Sequence, residues 1–174
     1  MKVNEIVDKD LSTEIICVID KSGSMGSIKD DAIGGFNQFL NEQKEVDDDT
    51  RITLALFDSK YQKLYDNVPL NEAVELNENT YRPSSMTALY DAIGTSIDQA
   101  NERYQNDPEN APDRVLFVIL TDGNENTSRE YDQKRIFEMI KTQTDQDWEF
   151  IFLAANQDAM KTGTGLGVKM GNTQ

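Results

Sequence analysis

The segment DKSGSM places three oxygen-bearing side chains, Asp20, Ser22 and Ser24, at alternate positions directly after the apolar run EIICVI. Carboxylates and hydroxyls are the hard oxygen ligands that Mg²⁺ and similar cations prefer in proteins. Gly, Ser and Asp are also common in strand-to-helix turns, where they serve as turn and helix-capping residues. The segment alone therefore indicates either a cation site or an ordinary turn.

Two further polar segments supply oxygen ligands at comparable places in the chain. LTDGNENTS (120–128) follows the apolar run RVLFVI and places Asp122 at the end of another predicted strand, whereas RPSSMTALYDAIG (82–94) places Thr87 near the start of a predicted helix. Because ligands of open α/β sheets bind outside the carboxyl ends of the strands, we expect these loops to meet DKSGSM at one rim. Two carboxylates and three hydroxyls there would balance the charge of a divalent cation and leave it able to attract another carboxylate.

The strands that hold these loops are predicted from four apolar runs rich in β-branched and aromatic residues, at 14–20, 51–58, 114–122 and 148–155. Runs that are apolar almost throughout are typical of a sheet covered on both faces. The segment 61–70 follows its strand after a turn too short for a crossover helix, so we expect it to form an antiparallel edge strand.

Apolar residues at spacings of three and four predict the helices between these strands. They are Ile33, Phe36 and Leu40 in the first helix, Leu89, Ile93, Ile97 and Ala100 in the second, and Ile136, Met139 and Ile140 in the third. Alternating strands and helices predict an α/β fold with a mostly parallel central sheet. We assign the acidic or proline-containing segments 43–50 and 104–113 to loops.

Composition excludes several classes of function. The net charge of -15, from 32 acidic and 17 basic residues, would repel nucleic-acid phosphates, so we expect no nucleic-acid partner. The sequence contains no His, which excludes Ser-His-Asp and Cys-His mechanisms and argues against zinc. No apolar run approaches the roughly 20 residues needed to span a bilayer. Together with a single Cys, Cys17, which we expect to be buried, this favours a cytoplasmic protein with no membrane partner.

DKSGSM resembles the D-x-S-x-S motif of the von Willebrand factor type A domain family, which includes the integrin I domains. In that family a Thr from a second loop and an Asp from a third complete a metal-ion-dependent adhesion site. SSMTALYDA and LTDGNE supply both in the same order, and the resemblance spans roughly residues 12 to 160. It implies a three-layer, Rossmann-like fold with helices on both faces of the sheet. It also implies a site for Mg²⁺ or Mn²⁺, in preference to Ca²⁺, formed by Asp20, Ser22, Ser24, Thr87 and Asp122.

The function that the resemblance implies is a metal-dependent protein-binding module and not an enzyme, with a Glu or Asp of a protein partner completing the coordination of the metal. Two alternatives stay open. A haloacid-dehalogenase-like phosphatase also begins with an Asp after a strand and uses Mg²⁺, but it needs a second Asp where Ser22 stands. A scaffold with a vestigial metal motif would keep the fold and ignore divalent ions. Neither the P-loop nor the dinucleotide-binding motif is present.

We expect one domain over residues 1–174, with an N-terminal tail of about 1–12 and a Gly-rich C-terminal segment of about 160–174 that is frayed or truncated. Lys21 occupies the variable position of the motif. Because an ammonium group has no oxygen to offer a cation, we expect Lys21 to be a solvated neighbour of the site and not a ligand. The sequence predicts no oligomeric state.

Overall fold

The central sheet has six strands in this computed structural model, which describes residues 11–46, 49–122, 125–154 and 157–170. Its strand order is β3-β2-β1-β4-β5-β6. The β2–β3 pair is antiparallel and the other pairs are parallel, which confirms the predicted antiparallel edge strand. The strands are β1 (Thr13–Asp20), β2 (Thr50–Phe57), β3 (Tyr61–Pro69), β4 (Arg114–Thr121), β5 (Glu149–Ala154) and β6 (Lys169–Met170).

Helices cover both faces of the sheet, as predicted. Because successive strand residues point to opposite faces, Ile16 and Val18 of β1 lie in one core cluster while Ile15, Cys17 and Ile19 lie in the other. The helices are α1 (Lys29–Val46), α2 (Leu89–Asn106), α3 (Gln133–Asp145) and α4 (Gln157–Gly165), and 3₁₀ turns occupy Gly23–Ile28, Leu70–Glu72 and Pro108–Asn110. Residues of α1 belong to the second cluster, and residues of α2, α3 and α4 belong to the first.

The predicted apolar stripe of α2 is confirmed, because Leu89, Ile93, Ile97 and Ala100 are all buried. Two predicted loops are wrong at their starts, since α1 continues to Val46 and α2 to Asn106. Contacts beyond the helices hold both last turns: Lys44 Nζ donates to the Ala73 carbonyl at 2.7 Å, and Tyr104 Oη donates to Glu14 at 2.5 Å. The short strand β6 was not predicted. Residues 1–10 of the predicted tail and the last four residues lie outside the described part of the chain.

The register of the sheet aligns the ends of β1, β2 and β4. Asp20 lies opposite Phe57 of β2, and Ile19 lies opposite Leu120 of β4. The edge at which these three strands end is called the carboxyl edge below. From β1 the strand order runs to β2 on one side and to β4 on the other, so the loop after β1 lies where ligands of open α/β sheets usually bind.

Cys17 lies in β1 with 1% of its surface exposed, as predicted, and burial raises the pKa of its thiol to about 12. None of the helices that the structure describes combines the length and the apolar character that crossing a membrane requires.

Candidate metal centre

Asp20 lies at the last position of β1 and is completely buried. The main-chain N–H of Ser22 donates to its Oδ1 at 2.7 Å, and the Thr121 hydroxyl donates to its Oδ2 at 2.7 Å. Burial raises the pKa of this carboxyl, the hydrogen bonds from Ser22 and Thr121 lower it, and the nearby charge of Asp122 raises it further. Asp20 is therefore a fixed carboxylate whose negative charge is poorly solvated in this fold.

Ser22, Ser24 and Asp122 meet Asp20 at the carboxyl edge. The hydroxyl oxygens of Ser22 and Ser24 lie 3.2 Å apart, and the Ser24 hydroxyl donates to Asp122 Oδ2. Ser22 and Asp122 are 1% and 4% exposed, whereas Ser24 is exposed to solvent. Four of the five predicted ligands are thus brought together, with Ser24 on the solvent side.

Thr87 reaches the same region on the segment that leads into α2, and it is 2% exposed. Its main-chain N–H donates to Asn126 Oδ1 at 2.9 Å, and its carbonyl accepts from the N–H groups of Asn126 and Thr127 at 2.9 and 3.1 Å. The Thr87 segment is therefore joined through its main chain to the segment that follows Asp122. Sequence analysis had assigned no role to Asn126, although its position near Asp122 was a signal.

Main-chain hydrogen bonds also join the loop after β1 to the segment before α2. The Ser84 N–H donates to the Lys21 carbonyl, and the Gly23 N–H donates to the Ser85 carbonyl, both at 2.9 Å. Ser85 has a φ of 68°, a left-handed conformation that non-glycine residues adopt infrequently. Such a conformation persists where the surrounding structure fixes it, and Ser85 lies where two polar loops are joined by hydrogen bonds.

Two residues that sequence analysis did not single out support Asp20. Tyr81 is fully buried and donates from Oη to the Asp20 carbonyl at 2.5 Å; burial and the charges of Asp20 and Asp122 raise the pKa of this tyrosine. Thr121, at the end of β4, supplies the hydroxyl described above. The signal for Thr121 was its position directly before Asp122, whereas Tyr81 carried no signal that distinguishes it from a core aromatic.

Lys21 is less exposed to solvent than predicted. Its side chain is 18% exposed, and its Nζ lies 3.4 Å from Oδ2 of Asp58, whose side chain is 8% exposed. The two residues meet because Asp20 lies opposite Phe57 in the parallel register of β1 and β2, so the residues that follow them are neighbours. Asp58 is therefore a third acidic residue at the carboxyl edge.

The donor set fits a hard divalent cation. Asp20 and Asp122 offer carboxylate oxygens with a summed charge of -2, and the hydroxyls of Ser22 and Ser24 lie with them. Two carboxylates held close together at a largely buried position favour a cation between them, because each raises the electrostatic cost of the other. Within the described ranges, no group of three or more Cys, Asp or Glu residues is placed to hold a metal.

Solved structures share this fold at low sequence identity. Manganese-loaded TRAP protein of Plasmodium vivax is 16% identical, with 93% of this chain and 69% of that chain covered at a TM-score of 0.63. The PilB minor pilin of Streptococcus sanguinis is 12% identical, with 94% and 58% covered at 0.66. The pilus adhesin SpaC of Lactobacillus rhamnosus GG is 15% identical, with 90% and 26% covered at 0.61. The chain thus spans little more than half of PilB and about a quarter of SpaC.

No curated protein sequence is detectably similar to this chain. The family match, by contrast, covers residues 14–166 and extends from β1 to the end of α4. The order of the sheet and the placement of helices on both faces agree with it. The chain belongs to the von Willebrand factor type A domain family.

Proposed function

We propose that this protein is a metal-dependent protein-binding module. Asp20, Ser22, Ser24, Thr87 and Asp122 hold Mg²⁺ or Mn²⁺, and a Glu or Asp side chain of a protein partner completes its coordination. The observation that carries the proposal is the meeting of Asp20, Ser22, Ser24 and Asp122 at one edge of the sheet, with both carboxylates buried.

Charge explains why such a centre would accept an acidic partner. When bound, the divalent cation supplies a positive centre whose charge the two carboxylates balance without exceeding it. Hydroxyl ligands add oxygens but no charge, so the cation stays attractive to one more carboxylate. The residues around the centre bind and orient: Thr121 and the Ser22 N–H fix the Asp20 carboxylate, and Asn126 fixes the main chain of Thr87.

Two of the solved structures that share this fold support a binding role. TRAP was solved loaded with manganese, and SpaC is a pilus adhesin. The sequence also lacks His, the commonest general base near neutral pH. An adhesive module needs no such base, whereas a hydrolase would need another group to move protons.

The net charge of -15 places a condition on the partner. An acidic ligand is repelled at long range by the chain as a whole, and this repulsion is screened beyond about 8 Å at physiological ionic strength. Attraction must therefore come from the cation at short range, or from basic residues that flank the partner's acidic residue.

Selection from a random peptide display library tests the proposal. With the wild-type chain in millimolar Mg²⁺, we expect the bound peptides to be enriched in Glu or Asp, often with Lys or Arg nearby, and to be released by EDTA. Asp122→Asn should lose this binding, since it removes a carboxylate from the centre. Asp31→Asn is the matched control, because it makes the same charge change at an exposed position of α1. Peptides that lack acidic residues and survive EDTA would contradict the proposal.

A further inference from the structure

Lys21 and Asp58 form an ion pair directly beside the proposed centre. The Lys21 Nζ to Asp58 Oδ2 distance is 3.4 Å, and both side chains are mostly buried. Lys21 immediately follows Asp20, so its side chain begins one residue from a proposed ligand. The pair therefore lies where its charges act on any cation that Asp20 binds.

The surrounding chain holds Asp58 in place. The Lys60 N–H donates to Asp58 Oδ1 at 2.8 Å, the Ser84 hydroxyl lies 3.5 Å from Oδ2, and the Asp58 carbonyl accepts from the Ala88 N–H at 2.8 Å. Ala88 directly follows Thr87. Asp58 is thus fixed between the loop after β1 and the segment that carries Thr87, and the ammonium group of Lys21 pairs with it.

We propose that the Lys21–Asp58 pair sets the charge of the metal centre; this rests on the proposed function. Three carboxylates lie at the carboxyl edge: Asp20 ends β1, and Asp58 and Asp122 directly follow β2 and β4. Without Lys21 their charge would be -3, and a bound divalent cation would leave the centre negative. Lys21 brings the edge to -2, so that a divalent cation leaves it neutral and able to accept a partner's carboxylate.

The two partners of the pair therefore act in opposite directions. Lys21→Gln removes the charge that neutralises Asp58 and should strengthen binding of Mg²⁺ or Mn²⁺, while it weakens binding of an acidic peptide. Asp58→Asn leaves the Lys21 charge unbalanced and should weaken cation binding. Each change is expected to be about four- to sixteenfold in the dissociation constant, the size of a unit charge acting on a divalent cation over about 10 Å at an effective dielectric constant of about 40 to 80.

Calorimetric titration with Mg²⁺ and with Mn²⁺ tests this on the wild type, Lys21→Gln, Asp58→Asn and the double variant. We expect Lys21→Gln to bind the cation more tightly, Asp58→Asn to bind it more weakly and the double variant to bind it about as the wild type does. These differences should shrink in about 1 M salt, where the Debye length is about 3 Å. A merely structural role would weaken binding in all three variants and would respond little to salt. The matched control is Lys63→Gln, because Lys63 also pairs with an acid at 3.4 Å but lies within β3.

The outcomes separate this inference from the function on which it rests. If the wild type binds the cation and Lys21→Gln binds it equally well or more weakly, the charge-setting role is overturned and the proposed metal centre stands. If the wild type binds the cation but selects no acidic peptides, the adhesive function is overturned, while the titrations still decide the role of the pair. A wild-type chain that binds neither cation would overturn both. A melting curve for each variant confirms that it is folded.

Discussion

Ser24 donates a hydrogen bond from its hydroxyl to Oδ2 of Asp122, a residue 98 positions later in the chain. The contact joins the loop after β1 to the end of β4, the two neighbouring strands from which both proposed carboxylate ligands come. It also places Ser24, an exposed residue, on the solvent side of the proposed centre. Ser24 therefore joins the two loops and is a proposed ligand at an exposed position.

Ser24→Ala removes that hydroxyl. We expect cation affinity to fall about tenfold or more, the range seen when groups that support a metal site are lost, while the unbound chain loses only about 1 kcal/mol of stability. Ser27→Ala is the control, because Ser27 is exposed in the same 3₁₀ turn and donates to the Ser24 carbonyl at 3.5 Å. Equal cation affinity in the two variants, measured by calorimetry, would remove Ser24 from the ligand set.

Gly94 in α2 allows close contact with Tyr131. A Cβ at position 94 would lie 2.3 Å from the Tyr131 ring. Tyr131 is held by hydrogen bonds from its main-chain N–H to Asp91 and from its Oη to Asp98. We expect Gly94→Ala to destabilise the fold by about 1–3 kcal/mol, the usual cost of overpacking.

Gly34→Ala in α1 is the matched substitution, because a Cβ there meets nothing within 4 Å. Ala is the better helix former, so this variant should be up to about 1 kcal/mol more stable than the wild type. Denaturant unfolding of both variants measures the difference. Equal effects of the two substitutions would show that Tyr131 does not occupy this position.

Glu14 anchors the end of the sheet opposite the proposed metal centre. It is 1% exposed and accepts from Arg103 at 2.7 and 3.0 Å, from Tyr104 at 2.5 Å and from Thr53 at 2.6 Å. Glu14→Ala leaves these donors without their acceptor and should cost about 2–4 kcal/mol, somewhat less than for a fully buried pair because Arg103 is 26% exposed. Glu109→Ala, at an exposed position, should change stability by less than about 0.5 kcal/mol. Urea unfolding that gives similar values for both would contradict a stabilising role for the Glu14 cluster.

The sequence was sufficient for local patterns and insufficient for pairings set by register. The buried stripe of Leu89, Ile93 and Ile97 follows from helical periodicity, and the polar edge follows from Asp20 and Asp122 standing after apolar strands. Asp58 also stands after an apolar strand, and that signal was available. Its pairing with Lys21 was not, because it depends on which strand lies beside β1 and in what register. The short strand β6 lacks the length that makes a strand pattern recognisable.

Cys17 should be protected from alkylation in the folded chain. Burial raises the pKa of its thiol from 9.0 to about 12, so almost no thiolate forms at pH 8.5. We expect iodoacetamide to react about a hundredfold or more slowly with the folded chain than with the chain in guanidinium chloride. Between pH 9 and about 12 the unfolded chain loses this proton and the folded chain keeps it, so Cys17 lowers stability as the pH rises across that range. Mass spectrometry measures the extent of modification over time. Rapid modification of the folded protein at pH 8.5 would show that Cys17 is accessible.

The most direct test of the metal centre is the melting temperature of the wild type and of Asp20→Asn, each with and without millimolar Mg²⁺ or Mn²⁺. Asp20 is a buried charge in the unbound chain, so Asp20→Asn should melt at or above the wild-type temperature without cation. Because a ligand that binds only the native state stabilises it by about 2.7 kcal/mol at a hundred times its dissociation constant, cation should raise the wild-type melting temperature by several degrees. It should leave Asp20→Asn unchanged, while the exposed control Asp31→Asn responds like the wild type. A wild-type melting temperature that neither cation raises, or an equal rise in Asp20→Asn, would contradict the metal centre.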